Sequence, residues 1–351
     1  MAEQRRAVAL ISGGLDSMLA AKVIINQGVK VEGINFFTGF CIEGHTRSIR
    51  NNKPSNEKKH NALWVAEQLG IKLRIIDVVE EYKEIVLNPK HGYGANLNPC
   101  LDCKIFMVNK TLATDILNNG NFDFIITGEV VGQRPKSQRK ETMPLIARES
   151  EANDRLLRPL SAQLLPPTLP EREGWVSRSK LYSFHGRDRK PQIKLAKSMG
   201  FSEWAQPAGG CCFLTDKQYS NKLQDLWNSK KTRDYDFDDI MLLKVGRHIR
   251  PNNSFKIIIA RDDGENRYLT GYQNRFISLR ASSHNGPLSL IDGTPTDNEV
   301  LLAAKIVARY GQGRSANKVK ISIRQPDGLT RLLDVKPLSP EHLRQEWHVG
   351  N

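Results

Sequence analysis

A chain of 351 residues exceeds one average domain, so two or three domains are expected, and a hydrophobic fraction of 39% supports real cores. No apolar run is long enough to span a bilayer, and the apolar run near the start is too brief for a signal peptide, so a cytoplasmic protein is expected. The net charge of +14 is uneven: Lys+Arg against Asp+Glu is 15 to 14 over residues 1–130, 15 to 7 over 131–200 and 21 to 15 over 221–351. Such a field attracts a polyanion, although charge alone fits a solvated basic surface equally well.

In chain order, Ala7–Ser12 reads as a buried strand, Ser17–Asn26 as a helix and Val29–Thr38 as a second strand. Asn56–Leu69 is an amphipathic helix closed by Gly70. Lys72–Val79 is a third strand, Lys104–Leu117 a helix and Phe122–Glu129 a fourth strand. Short apolar strands alternating with helices predict a doubly wound α/β fold on a parallel sheet, with the functional loops at the strand carboxyl ends. From Gln133 to Lys190 the pattern loosens, and the proline-rich RPLSAQLLPPTLPEREGW predicts an extended connection. Lys190–Met199 is helical. Beyond Asp216 the character changes to the β-rich segments IMLLKVG, SFKIIIAR, RYLTGY and VKISIR with one helix at Asn298–Tyr310. The expected division is therefore 1–215, containing the connection 133–190, and a smaller α+β domain over 216–351.

The strongest local signal is Ser12-Gly13-Gly14-Leu15-Asp16-Ser17, which follows the first strand and opens a helix. Glycines let backbone approach an anion, and free amides at a helix start bind phosphate. Ser12 and Ser17 add hydroxyls, and Asp16 suits Mg²⁺ at a pyrophosphate. The spacing and lysine of a Walker A loop are absent. This segment resembles the PP-loop ATP pyrophosphatases, which cleave ATP to AMP and pyrophosphate while adenylating a carbonyl oxygen. The resemblance implies adenine contacts through the backbone of Asn35 and Phe36. Thr127-Gly128-Glu129-Val130-Val131-Gly132-Gln133 resembles the TGE-x-x-G-Q segment of tRNA 4-thiouridine synthases. There Gly128 permits close approach, Gln133 offers hydrogen bonds, and Arg134 and Lys136 suit phosphate.

Five cysteines without a secretion signal argue for reduced, metal-bound or catalytic thiols. Cys100 and Cys103 form a C-x-x-C at a helix start, where a thiolate is stabilised. Cys211 and Cys212 follow Gly209-Gly210 and precede Phe213-Leu214. Asn98-Pro99 with Cys103, and Cys212-Phe213-Leu214, resemble the two catalytic-cysteine segments of tRNA 2-thiouridylases; Cys100 stands where some members have Asp. Three chemistries fit these thiols. A 4Fe–4S cluster would be held by Cys100, Cys103 and Cys212 (or Cys211 in place of Cys212). A persulfide carrier and resolving thiol would be Cys103 and Cys212, and a structural zinc site is the third. Cys41 reads as incidental.

Over 220–350, Lys244-Val245-Gly246-Arg247-His248, the strand Phe255–Arg261 and Asp263-Gly264-Glu265-Asn266 resemble the RNA-binding domain of ribosome quality-control factors. The resemblance implies phosphate contacts at Arg247, His248, Arg250 and Arg261. Taken together, the expected activity is ATP-dependent thiolation of RNA, with tRNA the expected class, catalysed through Asp16, Cys103 and Cys212. Lys104, Arg134 and Lys136 would stabilise developing charge. ATP, Mg²⁺ and a 4Fe–4S cluster are the expected cofactors, and a sulfide or persulfide donor such as a cysteine desulfurase the expected partner. The alternatives are a PP-loop enzyme using ammonia or an amine as nucleophile, and a non-catalytic RNA-binding protein with a nucleotide pocket.

Overall fold

The computed structural model describes residues 4–42, 61–113, 122–204 and 212–350. The chain divides into two compact units: among the described residues, 4–41, 61–113 and 122–204 form the first, and Ile42 with 212–350 the second. Cys212 therefore belongs to the second unit, whereas the sequence places 212–215 with the first.

The first unit is built on five parallel strands: β1 Arg6–Leu10, β2 Lys30–Phe37, β3 Leu73–Asp77, β4 Phe124–Ile126 and β5 Leu156–Leu157. Their order is β3-β2-β1-β4-β5. Ala7 of the central strand sits between Val31 and Phe124, and Ala7, Val8 and Ala9 are almost wholly buried. A strand buried on both faces loses the apolar–polar alternation, which is why RAVAL reads as continuous. The Leu15–Ile25 helix is likewise apolar on most sides, because it packs against both the Asn61–Leu69 and Lys190–Ser198 helices. The Cys100–Ala113 helix packs against the helices Val79–Leu87 and Thr142–Glu149. This is the doubly wound α/β architecture read from the sequence.

Two readings are corrected here. The stretch 133–190 is not simply extended: it contains the Thr142–Glu149 helix and the edge strand β5, and it buries Leu160, Val176 and Leu181 in the core of the sheet. Val79–Leu87, in the tail of the predicted third strand and beyond, is helical.

The second unit holds seven antiparallel strands in the order β11-β10-β8-β9-β7-β6-β12. They are β6 Arg247–Ile249, β7 Phe255–Ile259, β8 Ile277–Ala281, β9 Ser289–Gly293, β10 Val319–Arg324, β11 Thr330–Val335 and β12 His348–Val349. The Asp297–Arg309 helix covers one face. Two of the expected strands are helices instead. IMLLKVG lies largely in and just after Phe237–Leu242, and RYLTGY largely within Asp263–Thr270. Each follows an aspartate cap: Asp236 accepts from the Asp239 amide at 2.7 Å and Asp262 from the Glu265 amide at 2.9 Å. A cap that satisfies first-turn amides outweighs the strand propensity of the residues behind it. The Lys217–Lys230 helix, capped by Asp216, was also not read.

Candidate functional site

β1 and β4 are neighbours whose following connections part, so their carboxyl ends flank the switch point of the sheet, where ligands of open α/β folds bind. The loop after β1 places Gly13 at φ +78°; a Cβ there would lie 2.7 Å from Asn61 Cβ and 2.8 Å from the Ala62 nitrogen. The helix that follows starts at Gly14 without a side-chain cap. Ser12 Oγ lies 3.3 Å from Ser17 Oγ, and Ser17 donates to the Gly14 carbonyl at 2.8 Å. Asn35 fastens the loop from β2 by donating to the Ile11 carbonyl at 2.7 Å, while Phe36 is buried beside it.

The segment after β4 closes on this loop. Gly128 lies against the Asp16–Ser17 backbone, and Gln133 Nε2 donates to Asp16 Oδ2 at 2.8 Å. Burial pushes the Asp16 carboxyl above its ordinary value; the Gln133 hydrogen bond and the charges of Arg189 and Arg134 offset part of that rise. Asp16 Oδ1, Gln133 Oε1 and Arg189 Nε are all buried without a partner among the described residues. Buried polar atoms are nearly always satisfied, so unpaired atoms on Asp16, on its partner Gln133 and on Arg189, whose charge acts on Asp16, mark a place shaped for a polar ligand. Arg189 was missed in the sequence. It caps the Lys190–Ser198 helix, and its chain is aligned by the Gly186 amide donating to Val131 at 2.7 Å. The available signal was an Arg-Asp-Arg run ahead of a Lys-Pro helix start.

Glu129, in the same segment, is structural. It is 3% exposed and accepts from Arg158 Nε at 3.0 Å and Thr127 Oγ1 at 3.1 Å. Burial would raise its carboxyl, but the charges of Arg158 and Lys104, with those two hydrogen bonds, hold it below its ordinary value. Lys104 thus faces Glu129's charge, and Arg134 that of Asp16. Lys136 is not free for phosphate: its ammonium donates to the carbonyls of His91, Gly92 and Tyr93, the last at 2.7 Å.

The thiols of Cys100 and Cys103 sit on the first turn of the Cys100–Ala113 helix, both partly buried. Cys100 Sγ donates to Ser137 Oγ at 3.1 Å, and Asp102 between them accepts from the His91 amide at 3.0 Å. One short segment therefore reaches both places: Gln133 touches the phosphate loop and Ser137 touches a cysteine. Cys41 lies 3.5 Å from Thr38 Oγ1 at the end of β2. Cys212 is buried in the second unit, and Cys211 lies outside the described residues. Among the described residues no three His, Cys, Asp or Glu side chains converge as a metal site, and no helix is long and apolar enough to cross a membrane.

The expected phosphate contacts of the second unit are corrected. His248 is 2% exposed, its Nε2 directed at the carbonyls of Val245 (2.9 Å) and Leu242 (3.2 Å). Arg250 forks onto Asp225 at 2.5 and 2.9 Å, and Arg261 pairs with Glu265 at 2.9 Å. Among the described residues Arg247 alone of the four is exposed without an acidic partner, its guanidinium 5.4 Å from the Tyr310 ring centroid.

Residues 5–157 match the protein family described as tRNA methyl transferase HUP domain, and residues 246–348 the family described as NFACT protein RNA binding domain. A tRNA-specific 2-thiouridylase of Mesoplasma florum is 26% identical over 70% of this chain and 65% of its own length. That of Flavobacterium johnsoniae is 33% identical over 34% of this chain and 32% of its own. Less than two thirds of either relative is thus spanned. The 2-thiouridylase of Malacoplasma penetrans is 22% identical over 91% of this chain and 85% of its own. A crystal structure of a 4-thiouridine synthetase–RNA complex with bound ATP is similar at 21% identity and TM-score 0.35, covering 56% of this chain and 41% of that one. The first unit is thus similar to the tRNA thiouridylases, and the second to the NFACT RNA-binding domain.

Proposed function

We propose that this chain is an ATP-dependent tRNA sulfurtransferase in a reduced, cytoplasmic setting, with a PP-loop catalytic part over 1–215 and an RNA-binding part over 216–351. The observation that carries the reading is the bridge from the phosphate loop to a thiol within five residues, Gln133 on Asp16 and Ser137 on Cys100. A reaction that couples nucleotide chemistry to sulfur would use that pairing. The family description for residues 5–157 speaks of methyl transfer, but the phosphate loop and the 2-thiouridylase relatives support thiolation.

ATP's phosphates lie against Ser12, Gly13, Gly14, Leu15 and Ser17, with amides of the uncapped helix start donating to them. Asn35 and Phe36 border the adenine side. Asp16 Oδ1 is an oxygen donor at the phosphates, which fits Mg²⁺ there. A uracil or cytosine, out of its stack, presents its carbonyl oxygen to the α-phosphorus. That oxygen–phosphorus bond forms as the bond to the β-phosphate breaks and pyrophosphate leaves. Sulfur then attacks the activated carbon, and AMP departs with the former carbonyl oxygen.

Cys103 and Cys212 carry the sulfur step. Cys100 and Cys103 on one helix turn would supply two ligands of a 4Fe–4S cluster and Cys212 or Cys211 the third, although Cys100, Cys103 and Cys212 do not converge among the described residues; such a cluster would supply an open iron that binds sulfide. Without it, Cys103 would bear the sulfur as a persulfide and Cys212 would resolve it. The cluster route would take its sulfur as sulfide; the persulfide route would take sulfane sulfur from a persulfide donor such as a cysteine desulfurase, and the Cys103–Cys212 disulfide left on release of the thiolated base would be reduced by an external thiol.

The test is pyrophosphate release and nucleoside mass spectrometry on tRNA incubated with the protein, ATP and a sulfur donor. Release coupled to a thiolated base is expected, with the thiolated base lost in Cys103→Ala. Release that survives in Cys103→Ala with a nitrogen-bearing product would identify an amine-using enzyme, and no release at all a non-catalytic RNA binder. Iron content of anaerobically purified protein separates the two sulfur routes: about four irons per chain for the cluster, none for the persulfide.

A further inference from the structure

The sheet of the second unit is covered unequally. The apolar cluster under the Asp297–Arg309 helix runs from Ile249 through Ile321 to Val335. The cluster on the opposite face, around Leu242, Ile258, Leu269 and Leu290, contains no residue of β10 or β11. Side chains alternate between faces along a strand, so register decides which residues lie on the bare part. Ser278 pairs with Leu290 of that second cluster, hence Arg280 and Ser282 share its face. Arg280 pairs with Ser322, Arg324 with Ser278, and the Ser282 amide donates to the Lys320 carbonyl, which brings Lys320, Ser322 and Arg324 to the same side. Leu332, opposite Ser322, completes it at 60% exposure.

Arg280 and Lys320 are exposed, and among the described residues neither forms an ion pair within 4.0 Å. Arg324 donates to the Gln273 carbonyl and to Asn274 Oδ1, both neutral. The carboxylate on this face, Asp334, lies directly opposite Lys320 and is ion-paired with Lys318 at 2.8 Å. Arg280, Lys320 and Arg324 thus outnumber the one carboxylate these strands place on this face, which Lys318 also claims, and they are interleaved with serine hydroxyls on strands β8, β10 and β11 that carry no aromatic residue. Protein interfaces concentrate aromatic anchors, whereas phosphate contacts draw on Arg, Lys and hydroxyls.

We propose that the bare face of β8, β10 and β11 is the surface on which this chain holds an RNA backbone, through Arg280, Lys320 and Arg324. The proposal rests on the RNA-partner reading above and moves the contacts from the neutralised Arg250 and Arg261 to the opposite end of the sheet.

The test uses the full chain and unfractionated tRNA, with affinity measured across a KCl series. Arg280→Glu with Lys320→Glu should weaken binding at least ~10-fold and lower the salt slope by about 2, one for each lost phosphate contact. The control, Lys217→Glu with Arg344→Glu, makes the same charge change beside β12 at the far edge and should leave affinity within ~3-fold. Arg280→Gln with Lys320→Gln carries the same expectation at smaller amplitude if the reversal disturbs folding. Equal weakening by test and control, or an unchanged slope in the test variants, overturns the assignment and leaves an acidic protein as the occupant. A wild-type chain that does not bind tRNA overturns the RNA reading itself.

Discussion

Gly128 and Asp16 meet backbone to backbone. A Cβ on residue 128 would lie 2.5 Å from the Asp16 carbonyl carbon and 2.5 Å from the Ser17 nitrogen, closer than any real side chain approaches a main chain. The end of β4 is thereby the floor of the loop that follows β1, and the missing side chain sets their separation.

Gly128→Ala is expected to shift that loop, because backbone lies on both sides of the contact. Displacement of a reacting group by about 1 Å costs on the order of 100-fold in rate. Pyrophosphate release should fall by that factor, while Gly271→Ala, whose Cβ meets nothing nearer than 3.5 Å, should leave it unchanged. Wild-type turnover in Gly128→Ala would remove this contact from the site.

What was legible in the sequence was local. SGGLDS between a strand and a helix, and the glycines of the segment after β4, announce their backbone chemistry within a few residues. The hydrogen bond from Gln133 to Asp16 crosses 117 residues and has no local trace, although both ends were named. Charge was the least legible property. Arg250, Arg261 and Lys136 read as phosphate contacts because their type suits phosphate, but Asp225, Glu265 and three carbonyls claim them in the fold. The loose stretch 133–190 hid a two-residue edge strand, too short for any period to register.

Arg189→Ala should raise KM for ATP. Its Nε is buried, has no partner among the described residues, and its charge acts on Asp16 at the mouth of the loop. Removing a hydrogen bond to a charged group costs about 1.5–3 kcal/mol, so kcat/KM should drop roughly 10- to 100-fold. Arg189→Lys should recover only part, since it restores the charge and not the fork. Thermal stability should hold, because truncation leaves no protein group unpaired. An unchanged KM would show that the arginine serves the helix start alone.

The Glu129–Arg158 pair should govern the acid limit of the first unit. The folded carboxyl lies below its ordinary 4.5, so its contribution is complete above that value and is lost as pH falls through the folded pKa. Arg158→Gln leaves a buried carboxylate with one cation fewer, which costs about 3–5 kcal/mol at neutral pH. Burial then dominates, the carboxyl rises, and the acid unfolding midpoint should move to higher pH. A midpoint that stays put in Arg158→Gln, followed by circular dichroism, would contradict the pairing.

His248 gives the second unit its own pH dependence, with the same sign and a higher window. Burial, then the charges of Lys222 and Lys256, holds the imidazole well below its ordinary 6.5, and the Val245 and Leu242 carbonyls only partly oppose them. With Nε2 aimed at both carbonyls, the neutral ring carries its proton there, and Nδ1 stays bare and buried. The unfolded chain therefore binds a proton that the folded chain refuses. Stability is full above 6.5 and falls by up to ~1.4 kcal/mol per pH unit below it. His248→Gln keeps a donor for the carbonyls and removes the titration, so the thermal midpoint should flatten between pH 6.5 and roughly pH 5. The same variant decides between the buried ring and the phosphate contact expected from its sequence neighbourhood. A histidine on RNA would make tRNA affinity rise as pH falls through the ordinary imidazole range and drop in His248→Gln; a buried neutral ring leaves affinity unchanged in the variant at pH 7.5 and moves only the melting curve.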